Sequence, residues 1–284
     1  MTRKRYGVGI GWRREIAGFV AELPGLRFAE VVAESLPGPG GRLPEALTEL
    51  TARGVTVVPH GLRLNLGGAD PVDPQRVAHL AHCAQALGAP LVSEHIAFVR
   101  AGGREAGHLL PLPRSWDAVH TIVDNARRAM AELPVPLALE PIAALLDWPD
   151  DELTEAQFLT EILDRTGAEL LLDIANVYAN ARNRGEVPLA LLDSLPLERI
   201  AYVHVAGGSD RDDGLYHDTH TDPVPAAVLD LVTALRERCD PPALMLERDG
   251  QYPPADQLTA ELDAIADAAR LPRITGSAEA SSSY

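Results

Sequence analysis

Short apolar runs recur eight times along this chain, most of them closed by a polar or small residue. They cover residues 7–11 (GVGIG), 27–34 (RFAEVVAE), 55–61 (VTVVPHG), 90–98 (PLVSEHIAF), 135–141 (VPLALEP), 168–176 (AELLLDIAN), 199–207 (RIAYVHVAG) and 243–250 (ALMLERDG). Runs of this length, rich in valine, isoleucine and leucine and lacking strict alternation, read as strands buried on both faces. Stretches of helical period separate them, at 12–23, 44–53, 74–87, 115–132, 155–165, a segment ending near Gly185, 225–238 and 255–269. Proline near the first turn and glycine after the last punctuate several of these: Pro44 and Gly54 bracket one, Pro74 and Gly88 another.

Eight strand–helix units in one chain of 284 residues predict a single (β/α)8 TIM-type barrel over residues 1–272. A doubly wound open sheet is the competing architecture, but no GxGxxG loop follows any strand, and GVGIG lacks the third glycine. The terminal stretch 273–284, ending SAEASSSY, is small and polar and reads as a disordered tail.

Charge and composition narrow the function. The net charge of −16 argues against nucleic acid as a partner, because neutralising phosphates needs clustered Lys and Arg. No apolar stretch approaches the ~20 residues of a membrane span, and the basic start MTRKRYGVGIG has no apolar run before its first strand, so it is not a secretory signal. Cys83 and Cys239 are too few for a disulfide framework, and a reducing cytoplasm is the expected location.

The strand ends carry the chemistry. Strands three to eight end at His60, His95, Glu140, Asp173, His204 and Glu247, and strand two supplies Glu34. In a barrel these converge on the carboxyl-terminal mouth. After strand seven, a polar loop delivers Asp218 and His220 as Asp-x-His, and Asn176 follows Asp173 closely. One histidine at a strand end is commonly a satisfied loop cap. So many donors in one mouth call for compensating cations, since an unpaired buried charge costs several kcal/mol. A single catalytic zinc needs only three protein ligands. This set is large enough for two or three metals sharing bridging carboxylates, and its nitrogen and oxygen donors suit iron, manganese or zinc.

The stretches PHGLRLNLGG, SEHIAF, GHLLPLP, LALEPI, LLLDIANVYANARNRG, HVAGG, HDTHTDPV and LERDG, in this order and spacing, resemble the multinuclear non-haem iron-dependent oxidases. That family was long catalogued as a domain of unknown function and includes the oxidase of methanobactin biosynthesis. The resemblance covers roughly residues 7–270. It implies a TIM-type barrel with two or three irons, mixed Fe(II)/Fe(III), that use dioxygen to oxidise a ribosomally made precursor peptide, usually at cysteine. It also implies a small partner protein that presents the peptide. Carried over residue by residue, His60, His95, Glu140, Asp173, His204, Asp218, His220 and Glu247 stand at metal-binding positions, with Asn176 beside them. Asp249 in LERDG is placed to move a proton or order a water.

The chain departs from the family in three places. Pro141 follows Glu140 where Asn is usual, Ala175 replaces the first of two asparagines, and Gly208 stands where a second histidine is common. These changes weaken a third metal site most. His79, His82 and His120 lie on helices and read as packing or surface residues. His217, next to Asp218, is a spare donor that alternation would point away from the metal, and His108 reads as a substrate contact. Two other classes compete: a metal-dependent hydrolase or isomerase of the xylose isomerase or endonuclease IV kind, and a scaffold stapled by structural metals. The loops at 100–113 and 207–215 are long, as binding loops often are.

Overall fold

A computed structural model describes residues 4–276. Its strands and helices follow one another as β1 (Gly7–Trp12), α1 (Ala17–Glu22), β2 (Phe28–Val32), α2 (Glu45–Ala52), β3 (Thr56–Gly61), α3 (Pro74–Leu87) and β4 (Val92–Ile96). A hairpin of β5 (Phe98–Ala101) and β6 (Arg104–Leu110) intervenes before α4 (Trp116–Glu132) and β7 (Leu137–Pro141). Then come α5 (Glu155–Thr166), β8 (Glu169–Asp173), α6 (Ile174–Arg184), α7 (Pro188–Ser194) and β9 (Ile200–Val205). A two-residue ribbon, β10 (Ser209–Asp210) with β11 (Tyr216–His217), precedes α8 (Ala226–Arg238), β12 (Ala243–Leu246) and α9 (Ala255–Ala269).

Eight strands close into a parallel barrel in the order β1-β12-β9-β8-β7-β4-β3-β2. This is the (β/α)8 architecture that the eight apolar runs predict. The main core lies between the strands and the surrounding helices, where residues such as Val8, Ile10, Leu139, Leu172 and Leu246 are fully buried. A second cluster fills the barrel itself, with Phe28, Val58, Ala138, Leu171, Tyr202 and Met245 forming a floor. Side chains alternate along a strand, so the residue two positions farther on faces the same interior. Those residues are Glu30, His60, Glu140, Asp173, His204 and Glu247, and all are buried. Ser93 and His95 repeat the spacing on β4. Parallel register sets His95 beside Glu140 and Asp173 beside His204. An apolar floor with a layer of donors directly above it is therefore written into each strand as a two-residue step.

Several local features differ from the reading of the sequence. The segment 100–113 is not a plain loop but carries the β5–β6 hairpin, which turns at Gly102 and Gly103 with φ of +54° and +76°. Two successive positive φ values belong to the turn type that joins right-twisted strands tightly. Strand one runs through Trp12, and the helix expected from there is a 3-10 turn at 14–16 followed by the short α1. Glu34 lies past β2 in a 3-10 turn, where its Oε1 accepts from the Leu62 amide at 2.9 Å, and Glu30 takes the interior position instead. Near the carboxyl end, Ile274 is buried, and its carbonyl accepts from the Gly25 amide at 3.0 Å. The packed chain thus runs past residue 272. Residues 277–284, the rest of the stretch read as a tail, lie outside the described residues.

Candidate metal centre

The donor layer is built on a buried hydrogen-bond chain. Tyr202 donates its hydroxyl proton to Glu30 Oε2 at 2.6 Å, and Tyr202 Oη lies 2.6 Å from Ser93 Oγ. Ser93 Oγ in turn lies 2.8 Å from His60 Nδ1, and His204 Nε2 lies 2.7 Å from the same Glu30 oxygen. Because the Tyr202 proton points to Glu30, the Ser93 hydroxyl donates to Tyr202 and His60 Nδ1–H donates to Ser93. His204 likewise donates Nε2–H to Glu30. Burial alone would raise the Glu30 carboxyl, but the positive charge of His204 and then His60 outweighs it and holds the group down at about 2. One carboxylate thereby fixes the tautomers of two imidazoles, leaving His60 Nε2 and His204 Nδ1 as the free donors.

Above this chain the donors form four overlapping groups. In each, the donor atoms lie within 4.8 Å of one another. His60, His95 and Glu140 make the first, with Glu140 Oε2 3.5 Å from His60 Nε2 and 3.3 Å from His95 Nε2. The second joins Glu140, Asp173 and His204, with Glu140 Oε1 3.4 Å from His204 Nδ1. Glu247 Oε2 approaches that same nitrogen at 2.7 Å. The third comprises Asp173, Asp218 and His220, where Nε2 of His220 lies 2.6 Å from Asp218 Oδ2 and 3.8 Å from Asp173 Oδ2. His220 Nδ1 faces the fourth group, 3.4 Å from Asp249 Oδ2 and 3.6 Å from Glu247 Oε2. Glu140 is shared by the first two groups, Asp173 by the second and third, and His220 by the last two. Shared carboxylates are what a multinuclear centre requires.

The residues fit metal ions on an independent ground. Glu140 Oε2, Asp173 Oδ2, Asn176 Oδ1, His204 Nδ1, Asp218 Oδ1 and Glu247 Oε2 are all buried and make no hydrogen bond. His204 Nδ1 and Glu247 Oε2 stand 2.7 Å apart, yet not in hydrogen-bonding geometry. A buried polar atom left so costs about 1–3 kcal/mol, more when charged. Six in one mouth are explained together by cations that accept their lone pairs. Proton affinities are perturbed in the same region. Burial, aided by the Asp218 charge, pushes Asp173 up to about 8. Burial opposes the charged form of His95, but Glu140 and Glu94 overcome it and raise the imidazole to about 9. Against their burial, His204 holds Glu247 well below the usual carboxylate range, and Glu247 holds His204 well above the usual imidazole range.

The structure brings together every donor singled out in the sequence: His60, His95, Glu140, Asp173, His204, Asp218, His220 and Glu247. Asn176 sits on the first turn of α6, with its Nδ2 donating to the Pro141 carbonyl at 3.1 Å and its Oδ1 left free. Asp173 also caps that helix, its Oδ1 accepting from the Ala175 and Asn176 amides at 2.6 and 3.2 Å, so only Oδ2 is left for a metal. His220 has a positive φ of 54°, unusual for a residue with a Cβ, and its amide donates to the Gly207 carbonyl at 2.9 Å. Gly208 has no room for a histidine side chain: a Cβ there would stand 2.3 Å from the His217 carbonyl oxygen. His217 turns to Asp213 at 2.8 Å, and His79 to the Ala33 carbonyl at 2.8 Å, both away from the donors. Glu30, Ser93, Tyr202, Glu94 and Arg13 escaped the sequence reading. Their signal is the two-residue step below each strand-end donor, which picks out Ser93 and Tyr202.

The family of RiPP precursor modification enzymes MbnB/TglH/ChrH matches residues 7–270. A UPF0276 protein of Streptomyces avermitilis is 56% identical over 266 residues, 91% of this chain but 54% of the relative, so the chain spans about half that relative's length. UPF0276 proteins of an Anaeromyxobacter species and of Caulobacter vibrioides are each 35% identical, over 92% and 91% of both chains respectively. Endonuclease IV from Thermus thermophilus is similar in structure at a TM-score of 0.58 and 20% identity, covering 94% of this chain and 99% of that one. A putative xylose isomerase from Rhodospirillum rubrum gives 0.56 at 14% identity, covering 95% and 100%. At such identities the likeness is one of fold.

Proposed function

Because this chain belongs to the MbnB/TglH/ChrH family of RiPP precursor modification enzymes, we propose that it is a multinuclear iron-dependent oxidase that uses dioxygen to modify a ribosomally made precursor peptide at cysteine. The observation that carries the reading is the set of buried, unsatisfied donor atoms converging at the barrel mouth. His60, His95 and Glu140 would hold one iron, and Glu140, Asp173, His204 and Glu247 a second. Asp173, Asp218, His220 and Asn176 offer a third, less complete place, since Asp173 spends one oxygen on its helix and position 208 supplies no donor. When bound, a mixed Fe(II)/Fe(III) centre supplies the one-electron steps that dioxygen chemistry needs.

The chain's own residues prepare that site. Glu30 and Ser93 orient two imidazoles, and the apolar floor of Phe28, Tyr202 and Met245 keeps water from the barrel side. Asp249 is 43% exposed at the rim, placed to pass a proton between solvent and the centre. The β5–β6 hairpin follows the mouth end of β4 within two residues and exposes Arg104 and His108, groups that would suit contact with an extended peptide. No helix among the described residues is long and apolar enough to cross a membrane. The enzyme works in the cytoplasm, and a small partner protein presents the peptide.

Incubating iron-loaded protein, its partner and a cysteine-bearing precursor peptide, then weighing the peptide by mass spectrometry, tests the reading. A mass change that needs both iron and dioxygen is expected. The same change under strict anaerobiosis, with no other oxidant present, would overturn it.

A further inference from the structure

Arg13 is a largely covered cation beside the donor layer, and metal binding gives it no part. It follows the mouth end of β1, and its side chain is 11% exposed. Room for it comes from β1 itself, whose interior positions are Gly9 and Gly11. A Cβ on Gly11 would stand 3.2 Å from Arg13 Nη1, so this glycine vacates the space that the guanidinium fills. Nε and Nη2 of Arg13 lie 2.8 and 2.7 Å from Asp249 Oδ1, and Nη2 lies 3.4 Å from Glu247 Oε1. The guanidinium thus takes the outer oxygen of each carboxylate. The other two oxygens, Asp249 Oδ2 and Glu247 Oε2, face His220 Nδ1.

His220 stands between two groups of donors and can serve only one. A neutral imidazole has one lone pair and one N–H, and the two nitrogens point opposite ways. On the Nε2 side, Nε2 lies 2.6 Å from Asp218 Oδ2, while Asp173 Oδ2 and Asp218 Oδ1 are buried without hydrogen bonds. On the Nδ1 side, the carboxylate of Asp249 is already paired with a guanidinium. As the ring stands, Nε2–H donates to Asp218 Oδ2; a cation held by Asp173 and Asp218 would displace that proton, and Nδ1–H would then have Asp249 as its acceptor.

We propose that Arg13 is the resident cation of the group formed by His220, Glu247 and Asp249: it replaces a metal there and, through Asp249, holds His220 with Nε2 toward Asp173 and Asp218. Arg13 and Asp249 are positioning residues in this assignment, and neither ligates a metal. The proposal rests on the metal-centre reading, but metal count can separate the two.

The test is the number of Mn(II) ions retained per chain after anaerobic loading and desalting, measured by elemental mass spectrometry on the full chain. Asp249→Asn keeps an acceptor for His220 Nδ1–H and should retain the wild-type count, whereas Asp218→Asn should lose an equivalent. Arg13→Gln should gain an equivalent, because two carboxylates lose their cation, and Arg13→Lys should match the wild type. Adding Asp249→Asn to Arg13→Gln should abolish the gain. Loss of an equivalent in Asp249→Asn would overturn the proposal by making Asp249 a ligand, as would an unchanged count in folded Arg13→Gln. Should Arg13→Gln fail to fold, Asp249→Asn alone decides. A wild-type chain that retains no metal would remove the metal-centre reading itself.

Discussion

At the scale of single residues, bridging distinguishes donors that look alike in sequence. Glu140 lends one oxygen to the group with His60 and His95 and the other to the group with His204, whereas His60 serves one group only. Glu140→Ala should therefore lower iron content by more than His60→Ala, with both proteins folded, as circular dichroism and elemental analysis would report. Glu30→Gln belongs to the same series. Its amide oxygen can take the place of Oε2 and still accept from both Tyr202 and His204, but it brings no negative charge to hold their protons there, so iron should stay bound but about 10–100-fold more weakly. Chelator competition measures that change. Equal iron loss in the two ligand variants, or unaltered affinity in Glu30→Gln, would count against the arrangement. The sequence showed the outer ligands, because His and Glu at strand ends have no bland use in such number. It hid Glu30, which looks like one acid in an otherwise apolar strand until the barrel closes and sets His204, 174 residues away in the chain, at 2.7 Å.

Elements matter through what they leave open. Helix α6 begins by drawing on Asp173 for its cap, so a helix start and a metal site compete for one carboxylate. The β5–β6 hairpin is anchored away from the centre: Asn65 Oδ1 accepts from the Val99 and Arg100 amides at 2.7 and 3.0 Å, and Arg76 pairs with Glu105. None of these residues is a proposed ligand. Shortening the hairpin within residues 100–107 should weaken precursor-peptide binding while iron content stays at the wild-type level. Calorimetry beside elemental analysis reads both, and undiminished peptide affinity would sink the role given to the hairpin. Its strands were hard to see in sequence because six of the seven β6 residues are exposed and carry no apolar alternation. Gly102-Gly103 was the usable signal, a two-residue turn that needs positive φ at both positions.

For the whole molecule, the barrel was legible because parallel strands buried on both faces leave long-range order in plain composition, one apolar run per strand. The charge of −16 was harder to read. Part of it is the buried donor layer, where acids gather around histidines and await cations. Only the closed fold distinguishes those acids from the solvated ones on the helices. Sequence spacing placed the ligands at one mouth, but it could not tell that Arg13 reaches Asp249 across 236 positions.

The central claim is that the mouth holds a coupled multinuclear iron centre. Mössbauer spectroscopy of the protein loaded with 57Fe tests it most directly, because it counts iron environments and detects magnetic coupling between them. The account predicts at least two iron environments per chain, coupled through Glu140 as bridge, with Glu140→Ala losing that coupling. A single isolated iron, or irons without coupling in the wild-type protein, would contradict it.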